Sequence, residues 1–359
     1  MTALHDPRPG TAPPADSALG ALSAQAGDEG FARAEAPIAF SFPRDHGPHP
    51  RFRAEWWYFT GHLADHDDRP FGFQLTLFRF ALAATSAKSD SAWRGSQVML
   101  GHFAVSDVAG GAFHPFERLS RAMPDIAGSQ AAPEVAVWLD DWRIEHRAAD
   151  DRWRLRAGQD GVALDLELEP QSAVVPQGDR GLSRKSEAPG NASYYYSVPR
   201  LAARGTLTLA DGEHAVTGQA WLDREWSTSA LSRDQAGWDW FALQFADGAN
   251  LMFYRLRDKA GGSGPLSAGS HVDAAGTVTP LAAGDVRLTA EGEWRSPASG
   301  RRYPRDWRLA VPRLGLDLRL TPRLADQEWR RRFAYWEGAV SVRDAEREVG
   351  LGYVEMTGY

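Results

Sequence analysis

From residue 55 onward, apolar and polar positions alternate in short runs broken by turn-forming residues. Runs at 55–63, 71–82, 97–106, 135–146, 152–156 and 162–169 predict strands in the first half of the chain. The same pattern recurs at 202–210, 215–226, 238–246, 249–257, 286–294, 306–311, 315–320, 333–343 and 349–357. Many joints carry hairpin chemistry, as in ADGEH at 210–214, ADGAN at 246–250 and DAAGT at 273–277. The best helical candidate, 323–332, spans about two turns. The pattern predicts an all-β protein.

Two of these runs are unusual in having no water-like face. In FGFQLTLFRF at 71–80, Phe73, Leu75, Leu77 and Arg79 share one side, and Gln74, Thr76, Phe78 and Phe80 the other. A strand apolar on both sides fits a barrel whose outside is covered and whose inside is a lined cavity. In GQAWLDREWS at 218–227, Gln219, Trp221, Asp223 and Glu225 share one face, opposite Ala220, Leu222, Arg224 and Trp226. In a barrel, Asp223 and Glu225 are expected to point into the lumen or its mouth.

The segment 1–37 is rich in Pro, Ala and Gly and is expected to be a disordered leader; it has no apolar central stretch that would mark a signal peptide. The polar segment STSALSRDQAG at 227–237 separates two strong strands and is the expected joint, giving domains at 38–227 and 228–359. About two dozen residues at 170–193 lack periodicity, which suits a lid, a binding loop or disorder. EWWYFTGHL followed by FGFQLTLFRF is echoed by GWDWFALQFADGANLMFYRLRD, so two similar barrels in tandem are expected.

Composition narrows the chemistry. The 359 residues include 14 Trp, 16 Phe and 9 Tyr, a supply that suits cavities for large apolar ligands as well as large β cores. The net charge is −7 with no basic stripe, which argues against nucleic acid as a partner. Cys is absent, which removes disulfides, thiol nucleophiles and thiolate metal ligands. No apolar run is long enough for a transmembrane segment. There is no G-x-S-x-G nucleophile elbow.

Six stretches in series, FPRDHGPHPRFRAEWWYFTGHL, FGFQLTLFR, SYYYSVPRLAARGTL, GQAWLDREWS, WDWFALQFADGANLMFYRLR and YWEGAVSV…GLGYVEMTGY, resemble the AttH-like family over about 40–359. That family includes carotenoid 1,2-hydratases and proteins labelled predicted secreted hydrolases. The resemblance implies two tandem lipocalin-like antiparallel β-barrels and an apolar isoprenoid, carotenoid or lipid-like ligand. It also implies acid-catalysed hydration of an isolated double bond without a cofactor, with Asp223 in the place of the acid. Periplasm or cell envelope is the location it suggests. A non-catalytic carrier and a carbohydrate-active protein are the alternatives, and the oligomeric state is left open.

Protonating an alkene requires a neutral carboxylic acid, so an Asp must be shifted up by about 3 units. Burial beside Glu225 in an aromatic setting would do that; pairing with Arg224 or Arg255 would instead make Asp223 part of the wall. Asp223 and Glu225 are the candidate catalytic residues, and Trp57, Tyr195, Trp221 and Trp240 the candidate ligand-binding residues. Of Tyr194, Tyr195 and Tyr196, at least one is expected at a cavity or interface. Glu337 and Glu355 are expected to be structural ion pairs with Arg79, Arg200 or Arg255. His102 reads as a satisfied core histidine. His46 and His49 lack a third ligand nearby, so no metal is expected.

Overall fold

The alternation of the sequence becomes two large antiparallel sheets. A computed structural model describes residues 29–84, 96–228, 232, 234–332 and 334–359. The first sheet begins with β1 (Ala54–Ala64), β2 (Pro70–Ala81), β3 (Gln97–Asp107), β4 (Ala112–Arg121), β5 (Ala127–Gln130), β6 (Val135–Leu139) and β7 (Trp142–Arg147). It continues with β8 (Arg152–Gln159), β9 (Val162–Pro170), β10 (Val175–Pro176), β11 (Leu182–Arg184), β12 (Ala192–Leu209) and β13 (Gly212–Ser227). Its main path runs β4-β3-β2-β1-β13-β12-β9-β8-β7-β6-β5, and β6 curls round to touch β2, β3 and β4, nearly closing a barrel.

The second sheet holds β14 (Gln235–Phe245), β15 (Asn250–Asp258), β16 (Ala268–Val272), β17 (Val278–Ala282) and β18 (Arg287–Arg295). It is completed by β19 (Arg302–Val311), β20 (Leu316–Pro322), β21 (Glu328–Arg330), β22 (Ala334–Asp344) and β23 (Arg347–Met356). Its path is β17-β16-β15-β14-β23-β22-β20-β19-β18. The β14–β15 hairpin turns at Gly248, whose φ of 97° is open to glycine at little cost. No α-helix occurs among the described residues, so none is long and apolar enough to cross a membrane. The helical candidate at 323–332 instead holds β21, because Trp329 is fully buried and its backbone pairs with β22.

Each sheet wraps its own core. Trp57, Phe59, Phe73, Leu75, Trp142, Leu155 and Trp226 fill the first. Phe241, Leu243, Trp307, Leu309 and Val340 fill the second. Residues on the opposite side of β1, β12 and β13 form a third cluster with those of the second sheet: Tyr58, Tyr195 and Trp221 meet Trp240, Tyr254, Ala339 and Tyr353. The two apolar faces of 71–80 have the same explanation. Phe73, Leu75 and Leu77 face the first core, whereas the β2 backbone at Gly72 lies so close to the second sheet that a Cβ there would meet Tyr353 and Ala339.

Part of the expected leader is ordered. Residues 1–28 lie outside the described residues, but 29–37 pack onto the first sheet. Ala34 is buried in the first core, the Ala32 amide donates to the Arg51 carbonyl at 2.9 Å, and the Tyr194 hydroxyl donates to the Ala36 carbonyl at 3.0 Å. These long-range bonds hold a segment whose composition alone predicts disorder.

Candidate active site between the two sheets

Strand β13 carries the acids on its outer side. Directly opposite Asp223 are Tyr58 on β1 and Ser197 on β12; opposite Glu225 are Trp56 and Tyr195. Side chains opposite one another share a face, so this whole set faces the second sheet. The lumen of the first barrel is on the other side, filled by Leu222 and Trp226 and their core neighbours. The expectation that Asp223 and Glu225 point into a lumen or its mouth is therefore corrected: they lie between the sheets. Alternation placed them together, but it could not say which side of the strand was inside.

Asp223 is 4% exposed and accepts three hydrogen bonds: Ser197 Oγ at 2.5 Å, Tyr195 Oη at 2.5 Å and Trp221 Nε1 at 2.7 Å. No Arg or Lys pairs with it among the described residues. Burial pushes its carboxyl up to about 6, against the pull of those three donors and with help from the Glu225 charge. Tyr195 Oη in turn accepts from Trp240 Nε1 at 3.2 Å, a residue of the second sheet. Trp240 packs edge-on against Tyr58, with ring centres 5.2 Å apart, and against Trp221 at 6.4 Å.

Glu225 has a cation. Lys185 Nζ lies 2.9 Å from its Oε1 and 4.8 Å from the centre of the Tyr254 ring. Burial alone would lower the affinity of Lys185 for its proton, but the charge and hydrogen bond of Glu225, with Tyr254 and Asp223 adding to them, together outweigh it and the net shift is upward. Lys185 comes from the aperiodic segment 170–193, which is ordered here: β10 and β11 pair with β12, and Ser183 Oγ and Tyr254 Oη are 2.9 Å apart.

The arginines that might have neutralised Asp223 are engaged elsewhere. Arg224 and Arg79 both bind Glu55, with all three side chains fully buried. Arg255 binds Asp239 at 2.7 Å, and Arg200 donates to the Phe245 carbonyl at 2.9 Å. The expected ion pairs of Glu337 and Glu355 with these arginines are therefore absent, which corrects that reading. Tyr58 Oη donates instead to Glu337 Oε1, and Trp238 Nε1 donates to Glu355 Oε2 at 3.1 Å. Burial and the Glu355 charge raise Glu337 well above the usual carboxylate range. Glu355 is pushed up to about 7 by burial, against the Trp238 bond and with the charges of Asp223 and Glu225 adding to the rise.

Of the candidate ligand-binding residues, Tyr195, Trp221 and Trp240 gather around Asp223, but Trp57 does not. Trp57 is opposite Arg224, not Asp223, so it lies in the first core, with the Arg224 guanidinium 3.8 Å from its ring centre. Its neighbours Trp56 and Tyr58 occupy the face where Trp57 was expected. Tyr194 and Tyr196 point away from Tyr195 and into the first core. His102 is buried, with Nδ1 2.7 Å from Tyr335 Oη. His46 does not act with His49 alone: ligand-type atoms of His46, His146 and Asp151 lie within 4.8 Å of one another. Within that group His146 Nε2 and Asp151 Oδ1 are 2.8 Å apart, while His46 Nδ1 and Tyr196 Oη are 2.7 Å apart.

Fold and site together define a tandem lipocalin-like protein with acids enclosed between its two halves. The chain belongs to the AttH-like family, whose model matches residues 33–359. A Nitrosomonas europaea protein assigned as AttH is 34% identical, with a TM-score of 0.82 over 92% of this chain and 100% of that one. Kievitone hydratase from Nectria haematococca has a similar fold at 17% identity, with a TM-score of 0.67 over 92% of this chain and 97% of that one. CghA is similar in fold at 15% identity, with a TM-score of 0.56 over 93% of this chain and 97% of that one. No curated protein matches the chain.

Proposed function

We propose that the protein binds an apolar, unsaturated small molecule between its two sheets and adds water across an isolated double bond, with Asp223 as the acid. The observation that carries this reading is the state of Asp223: buried, surrounded by aromatic side chains, and without a cationic partner among the described residues. A carboxyl shifted to about 6 is protonated in roughly one molecule in ten at pH 7. Its proton passes to one alkene carbon, leaving positive charge on the other. The π faces of Trp221 and Trp240 would stabilise that charge. Water then bonds to the cationic carbon and gives up a proton. Ser197 and Tyr195 have rotatable hydroxyls and can follow the change in charge on Asp223, while the Trp221 N–H holds its orientation.

Glu225, tied to Lys185, keeps a second charge beside Asp223 and helps to hold its proton affinity up. The hydratase named among the similar folds supports the reaction class. The aromatic lining supports the ligand class. The test is incubation of the purified protein with squalene, an acyclic isoprenoid with only isolated double bonds, and with an acyclic carotenoid. Mass analysis should detect products heavier by one water, made by the native protein and not by Asp223→Asn. Binding of both probes without any such product would favour a carrier.

A further inference from the structure

The two sheets repeat each other residue for residue around the site. In the first, Glu55 on β1 is directly opposite Arg79 on β2; in the second, Asp239 on β14 is opposite Arg255 on β15. One residue further along, Trp56 is opposite Glu225 on β13, and Trp240 is opposite Glu355 on β23. One strand beyond, Tyr195 is opposite Glu225 and Glu337 is opposite Glu355. Glu355 is thus the counterpart of Glu225, and Glu337 that of Tyr195.

The repeat breaks in its charges. Glu225 faces a phenol and is paired with Lys185. Glu355 faces another carboxyl, and neither it nor Glu337 has a Lys, Arg or His partner among the described residues. Cross-strand neighbours have Cβ atoms about 4.5–5.5 Å apart. Two carboxyls on directly opposed residues, each raising the other's proton affinity and one of them fully buried, resist being ionised together, so the pair retains a proton. The groups facing it confirm the bias: Tyr58 from β1, Tyr335 and Tyr353 from the pair's own strands, Trp238 from β14, and the acids Asp223 and Glu225 from β13. Lys185, which reaches the facing acids, is paired with Glu225. Glu337 is 2% exposed, whereas Glu355 is partly exposed, so Glu355 is the member that meets solvent or ligand.

We propose that Glu337 and Glu355 form a proton-sharing pair, and that Glu355 is the base that takes the proton released by the adding water. This step rests on the hydration reading above. The proton balance closes: Asp223 gives one proton to carbon, water forms the C–O bond and loses one to Glu355, and the proton returns from Glu355 to Asp223 before the next turnover. The shift of Glu355 to about 7 suits a base at neutral pH.

The test has two independent readouts. Carboxyl-stretch infrared difference spectra of the ligand-free protein, native minus Glu355→Gln and native minus Glu337→Gln, are taken across the neutral pH range. A protonated carboxyl that persists at neutral pH, disappears in Glu337→Gln and titrates at lower pH in Glu355→Gln is expected; two ionised carboxylates there would overturn the pair. Tyr58→Phe removes a donor to Glu337 and should move the loss of that proton to higher pH, which gives a second variant if either Gln variant folds poorly. With squalene as probe, Glu355→Gln should cut turnover about 10²-fold and abolish the acidic limb of the rate profile. Unchanged turnover in Glu355→Gln would remove the base and leave Asp223 standing. A native protein that turns over neither probe would refute the hydration reading and with it the role of Glu355 as base, whereas the infrared result alone decides the pair.

Discussion

Glu337 and Glu355 face each other across adjacent strands with no cationic partner among the described residues, while their neighbour Glu225, on the facing sheet, is paired with Lys185. One site therefore contains an acid paired with a lysine and a carboxyl pair that resists ionisation. The difference lies in whether a lysine reaches the group, and it predicts how stability responds to pH.

A carboxyl whose proton affinity rises on folding makes the native state bind more protons than the unfolded chain. Stability then falls as pH rises between the two values. For Glu355 that window runs from its ordinary 4.5 to about 7, and for Asp223 from 3.8 to about 6. The loss from Glu355 is on the order of 2–3 kcal/mol. Melting temperature should decline over this range in the native protein, and Glu355→Gln should flatten the decline. A flat native profile would show that these acids titrate normally.

Asp223→Asn keeps the size and most of the hydrogen bonding but has no transferable proton. Hydration should fall by at least about 10²-fold while probe binding and melting temperature change little, because no buried guanidinium loses its partner. Turnover, binding and melting measured on one preparation separate these effects. Undiminished turnover would remove Asp223 from the mechanism.

Glu55 shows what a structural acid looks like in the same strands. It is buried between Arg79 and Arg224 and held well below the usual carboxylate range: burial works against ionisation, but the two guanidinium charges prevail. Glu55→Gln should cost about 3–5 kcal/mol, since two buried cations lose their counter-charge. Chemical denaturation will measure it. A loss below about 1 kcal/mol would mean that these arginines are hydrated.

Lys185→Met should destabilise the protein by roughly 1–3 kcal/mol by leaving Glu225 buried without its cation. Adding Glu225→Gln to that variant should restore most of the loss. A double-mutant cycle in the same denaturation assay gives the coupling, and additive losses would show that the 2.9 Å pair contributes little.

Strand period alone determined that Trp221, Asp223 and Glu225 share a face, that 71–80 has two covered faces, and that the chain is all-β, because side-chain direction along a strand is a local property. The repeated Trp-rich hairpin likewise foretold two related sheets. What covers a face is not local. A lined lumen and an interface between sheets both demand apolar residues, so only the packing of β1, β12 and β13 against β14, β22 and β23 put the acids between the two halves. Trp57 was misplaced for a related reason: its side of β1 follows from register with β13, and one residue of parity separates it from Trp56 and Tyr58. Glu337 and Glu355 were misread because ion pairing depends on where arginines end up in space. Tertiary structure took Arg79 to Glu55 and Arg255 to Asp239, and left the two glutamates facing each other.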